Sequence, residues 1–101
     1  MAVHEQEREI NLSPDEAFDF VERKLQEAGF KDIQALKSRM TLRGEMRTFG
    51  QWTKSPMEVS ITGTDAGTSI ILVSAVAQAQ SLSSGNPAKR MVEKFINSLE
   101  N

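Results

Sequence analysis

Cysteine and tyrosine are absent from the 101 residues, histidine and tryptophan occur once each, and proline three times. Without cysteine the chain is neither a disulfide scaffold nor a thiolate zinc module. The single histidine, His4, stands close to the N-terminus, where chains ordinarily fray into solvent. It is no partner for Ser55, Ser81, Ser83 or Ser84, so a Ser-His-Asp triad is not expected. Glu5 and Glu7 share a strand face, as a solvated edge strand would have it, and no His/Asp spacing resembles a metal-ligating set. Residues 62–67 carry two glycines, but they join two strands and lack the lysine and helix start of a phosphate loop. These absences together predict a non-enzyme with no cofactor and no metal. Charge of one sign is scarce as well: 12 basic and 14 acidic residues leave a net −2, which excludes a strongly basic nucleic-acid glue and an acidic tail. The longest apolar run, residues 70–73, is far below the ~18 residues of a membrane span. Eight acids against three bases in the first thirty residues are unlike a signal or transit peptide, so a soluble cytoplasmic protein is expected.

What is present is clear periodicity. No linker or repeat divides the chain, and its length suits a single domain with one core, residues 1–101. Ser13-Pro14-Asp15-Glu16 supplies an N-cap, a proline at the first helical position and a glutamate three residues after the cap. Ala17, Phe18, Val21, Leu25 and Ala28 then form one apolar stripe, and Gly29 can end the helix. Asn86-Pro87 repeats the cap-then-proline start before a second stripe of Met91, Val92, Phe95, Ile96 and Leu99. Elsewhere the period is two. Residues 39–48 alternate Met40, Leu42, Gly44 and Met46 against Arg39, Thr41, Arg43, Glu45 and Arg47, which predicts a half-buried strand. Met57, Val59 and Ile61 mark another strand, and residues 65–67 a turn into a strand at 69–78 that is apolar on both faces. Weaker strands fall at 3–12, with Ile10 and Leu12 toward the core, and at 32–37. The expected order is β-α-β-β-β-β-α: a two-layer α+β fold in which a five-stranded, largely antiparallel sheet carries both helices on one face.

This order, with Leu12-Ser13-Pro14-Asp15-Glu16-Ala17-Phe18 before the first helix and Gly85-Asn86-Pro87-Ala88-Lys89-Arg90 opening the second, resembles two known architectures. One is a trimmed START/Bet v 1-like helix-grip fold, as in small bacterial domains; the other is a single repeat of the TATA-binding-protein-like fold. The first resemblance implies a small apolar ligand between sheet and helix, the second a contact with DNA through a concave sheet.

The residues themselves offer three sites. The open sheet face, with Glu5, Glu7 and Glu9 at one side, Ser60 and Thr62 between, and Arg39, Arg43 and Arg47 at the other, suits a protein partner or a homodimer. The loop holding Phe49 and Trp52 would extend that surface, because tryptophan is enriched at interface centres. A non-catalytic binding or interaction module through that face and loop is the leading reading. In the alternative, Trp52, Met57, Ile71 and Val73 line a groove for a small apolar ligand. In the third reading, Arg39, Arg43, Arg47, Trp52 and Lys54 contact a polyanion such as nucleic acid, since arginine forks and aromatic faces fit phosphates and bases.

Overall fold

The computed structural model describes residues 2–46, 55–77 and 87–99. Its elements run β1 (Ala2–Ile10), α1 (Pro14–Glu27), β2 (Lys31–Leu36), a short 3-10 turn (Lys37–Arg39), β3 (Thr41–Met46), β4 (Ser55–Gly63), β5 (Ser69–Ala77) and α2 (Pro87–Ser98). The strands form one five-stranded sheet in the order β1-β5-β4-β3-β2. Every neighbouring pair is antiparallel. This is the two-layer α+β arrangement that the periodicity predicts, with β1 and β2 at the edges.

Local chemistry sets both ends of α1. The Ser13 hydroxyl accepts from the Glu16 backbone N–H at 3.4 Å and donates to Glu16 Oε1 at 3.0 Å, and Pro14 occupies the first turn, where its missing N–H costs nothing. At the other end Gly29 takes φ 91°, which its lack of a Cβ permits. The Phe30 N–H reaches the Leu25 carbonyl and the Gly29 N–H the Gln26 carbonyl, each at 3.1 Å. That is a Schellman closure, and Phe30 and Leu25 are both buried beside it.

α1 lies over β2, β3 and β4, and α2 over β1 and β5. Their stripes meet the inner sheet face in one cluster that includes Phe18, Val21 and Leu25 of α1, Leu42, Val59, Ile61, Ile71 and Val73 of the sheet, and Val92, Phe95 and Ile96 of α2. The Phe30 and Phe95 rings meet edge to face at 6.1 Å between centroids, a favoured aromatic geometry. Ile10 and Leu12 pack against this cluster, as expected. Two close contacts tie α1 to the sheet. A Cβ on Gly63 would stand 2.7 Å from the Pro14 ring, and the buried Ser69 hydroxyl donates to the Leu12 carbonyl at 2.8 Å. No helix among the described residues is long and apolar enough to cross a membrane.

Two expectations require correction. Arg39 is not on a strand: Leu36 pairs with Thr41, so the chain between them must reverse, and it does so through the 3-10 turn and Met40 at φ 50°. The regular alternation of residues 39–48 carries no signal for this reversal, because Met40 packs against the core as a strand residue would. His4 is not frayed: it pairs with Ala75 in the β1–β5 ladder and is half-buried, because nine residues of β1 zip against an interior strand.

Candidate functional site

β1 turns Glu5, Glu7 and Glu9 to solvent and His4, Gln6, Arg8 and Ile10 toward the helix layer. The register places His4 beside Ala75, Gln6 beside Val73 and Arg8 beside Ile71, three residues that are buried and apolar. An edge strand under an amphipathic helix ordinarily presents an apolar face. Here a row of three polar side chains takes that place, spaced roughly 7 Å apart along the strand.

The row is unevenly satisfied. Arg8 Nη1 donates to the Ile96 carbonyl at 3.5 Å, where a cation complements the negative end of the α2 dipole. His4 Nε2 and Gln6 Oε1 are buried atoms with no hydrogen-bond partner among the described residues. Each such atom costs about 1–3 kcal/mol relative to a satisfied one. Buried orphans are uncommon in folded chains and mark strain, a water position or a ligand position. Where β1 passes into α1, an open cleft of about 1110 Å³ is lined by Arg8, Ile10, Leu12, Phe20, Arg23 and Leu99 among others. Arg8 thus stands both in the polar row and on the wall of this open cleft.

The opposite sheet face is mixed in charge. Arg43 is exposed there, as expected, but its register partner on β4 is Glu58. Lys31 likewise faces Glu45. Ile70 and Leu72 of β5 are half-buried between the acids of β1 and the hydroxyls of Ser60 and Thr62, and the Thr68 hydroxyl donates to the Glu9 carboxylate. Arg39 is exposed on the 3-10 turn. Arg47, Phe49, Trp52 and Lys54 lie outside the described residues. Of the expected groove residues, Trp52 also lies outside them, while Met57, Ile71 and Val73 stand fully in the core at 1%, 0% and 0% exposure. The structure therefore brings Arg43 to the open face and Met57, Ile71 and Val73 to the packed interior. The row of His4, Gln6 and Arg8 was not foreseen. Its signal was available, because residues 4–9 are polar at every position and so cannot form an ordinary half-buried strand.

No family model matches the chain, and no curated protein matches it. Solved structures do. One is a chain of the adenylate sensor from AMP-activated protein kinase in complex with ZMP, at TM-score 0.68 and 19% identity over 91% of this chain and 93% of that one. Another is a START superfamily protein from Mycobacterium smegmatis, at TM-score 0.66 and 9% identity over 98% and 92%. A third is Ara h 8.0201, of Bet v 1 type, at TM-score 0.59 and 14% identity over 96% and 95%. The chain has a START/Bet v 1-like fold, the helix-grip side of the resemblance stated above. At these identities the likeness concerns the fold alone.

Proposed function

We propose that the protein is a non-catalytic binding domain that holds a small molecule at the seam between β1 and α2. The observation that carries this reading is the pair of buried atoms without a partner among the described residues, His4 Nε2 and Gln6 Oε1, on the strand that α2 covers. A helix-grip arrangement suits such a role, because the helix lying across the sheet can rise by a few ångströms without unpairing a strand. Catalysis has little to work with here: His4 has neither a carboxylate nor a nucleophile beside it on the inner face of β1, where its neighbours are Gln6 and Ala75. A purely apolar ligand fits less well, since Met57, Ile71 and Val73 already fill one another's surroundings. The test is native mass spectrometry of the gently purified protein. A discrete small-molecule mass on the monomer, lost in the His4→Leu/Gln6→Leu double variant with the fold intact, supports the reading. A bare chain in both proteins refutes it.

A second reading, a homodimer through the open face, has its own support in the half-buried Ile70 and Leu72 of β5. A two-fold axis parallel to the strands would lay Glu5, Glu7 and Glu9 over the β2 side with Lys31, whereas an axis across the strands would set acid on acid. The first geometry avoids that repulsion. A mass in light scattering that stays monomeric over the whole accessible concentration range removes it.

A further inference from the structure

The two edges of the sheet are unequal, and the longer one points to a further partner: we infer that the free edge of β1 takes an extended peptide as an added strand, one with lysine or arginine at alternate positions and uncharged polar residues between them. This surface lies beside the seam of β1 and α2 and not within it, so the inference goes beyond the ligand reading and does not depend on it. β1 runs nine residues in unbroken register with β5, and no described strand pairs with its other side. Alternate residues of a regular strand direct both N–H and C=O to each edge, so β1 holds a straight row of donors and acceptors on the side away from β5. β2, the opposite edge, is six residues long and shifts register between Lys31 and Gln34, with Asp32 at φ 53°. A bulge of that kind blunts an edge against pairing.

The charge on β1 then selects the strand that it accepts. Glu5, Glu7 and Glu9 follow one another on the exposed side, and like charges directly opposite destabilise a ladder. Antiparallel registers of β1 with a second copy, centred on Glu5, Gln6 or Glu7, each set a glutamate opposite a glutamate, so the edge repels its own kind. A strand with cations at every second position meets Glu5 and Glu7 in turn, whereas Glu9 already accepts from the Thr68 hydroxyl. On the side of the helices the same strand runs along His4, Gln6 and Arg8, which are half-buried, so its intervening residues meet a polar row and not an apolar one.

The experiment is a chemical-shift titration of the labelled full chain with three capped peptides of about eight residues, each to about 5 mM. One alternates lysine and threonine, one has the same residues with the lysines paired in blocks, and one alternates glutamate and threonine. The alternating lysine peptide is expected to move the backbone amide signals of β1, to slow exchange of those that point away from β5, and to bind at least about threefold more tightly than the block order, because only alternation sets a cation opposite Glu5 and Glu7 at once. In the Glu5→Lys/Glu7→Lys double variant the preference should invert, the glutamate peptide binding at least about threefold more tightly than the alternating lysine one. The comparison of the two lysine peptides needs no variant, so it stands even if the double variant folds poorly. Equal binding of the two orders would reduce the contact to net charge and overturn the assignment. Shifts confined to Ser60, Thr62, Ile70 and Leu72 would place the peptide on the open face and overturn it as well. So would an unchanged preference in a folded double variant, or no binding by any of the three peptides.

Discussion

Replacing Gln6 with methionine should make the ligand-free protein more stable. The amide oxygen of Gln6 is buried without a partner among the described residues, which costs about 1–3 kcal/mol relative to a satisfied group. Methionine has nearly the same length and flexibility, carries no obligate hydrogen-bonding group and adapts to irregular spaces. Its neighbour across the ladder is Val73, which is fully buried, so the thioether gains an apolar surface in exchange for a polar deficit. Gln6 is half-buried rather than enclosed, and its amide nitrogen loses whatever contact it has with water, so the net gain should lie near the lower half of that range, about 1–1.5 kcal/mol. For a domain of this size each kcal/mol moves the midpoint of thermal unfolding by roughly 4–8 °C. The assay is urea and thermal denaturation of protein refolded from denaturant, which removes any retained ligand. The m-value should be unchanged, since the exposed area on unfolding is the same. Glu7→Met, one position along but on the solvent face, is the control and should lie within about 0.5 kcal/mol of the parent. A loss of about 1 kcal/mol or more in Gln6→Met would refute the reasoning, because it would mean that the amide stabilises the native chain.

Two further substitutions probe the junction of α1 with the sheet. Gly63→Ala places a Cβ 2.7 Å from the Pro14 ring, and a proline ring cannot swing aside, so a loss of about 1–3 kcal/mol is expected in urea denaturation; an unchanged midpoint would show that α1 is not seated there. Ser69→Ala removes the donor to the Leu12 carbonyl at a fully buried position and should cost about 1–2 kcal/mol by the same measurement, whereas a neutral result would mean that the Leu12 carbonyl finds water instead.

Most of the fold was legible because each element carries its own local chemistry. The Ser13 cap, the Pro14 start and the Gly29 end all stand where the sequence puts them, since each rests on interactions between residues close in the chain. The alternation at Met57, Val59 and Ile61 and the double-sided apolar pattern of β5 identify buried strands for the same reason. The turn at Lys37–Arg39 was hidden, because its need arises from the pairing of β2 with β3 and not from its own residues. The face was legible in composition but not in charge balance. Arginines at alternate positions look like a basic stripe until the register sets Arg43 beside Glu58 and Lys31 beside Glu45. The polar run of residues 4–9 on β1 is legible in the sequence, but where its second face lies is not. Only tertiary structure says that the side opposite Glu5, Glu7 and Glu9 lies under α2.

That arrangement makes the two helices unequal, and the inequality can be measured. α1 opens with Asp15 and Glu16 and ends with Lys24, charges that complement its dipole. α2 has no acid in its first turn and no base in its last, and it carries Lys89 and Arg90 near its positive end, each unfavourable by a few tenths of a kcal/mol. α1 rests on apolar positions of β3 and β4, Leu42, Val59 and Ile61 among them, while α2 shares its footing between the apolar interior strand β5 and the polar row of β1. Opening α2 away from the sheet therefore admits water to two buried atoms that have no partner among the described residues, His4 Nε2 and Gln6 Oε1. Amide hydrogen exchange should find α2 opening at a free energy below that of global unfolding, while the central turns of α1 exchange only with the whole molecule. Ligand at the seam should slow exchange in α2 and β1 and leave α1 nearly unchanged, because it would bind the closed arrangement alone. Equal protection of the two helices in the ligand-free protein would count against a seam that opens, and with it against the route by which a small molecule could reach Gln6.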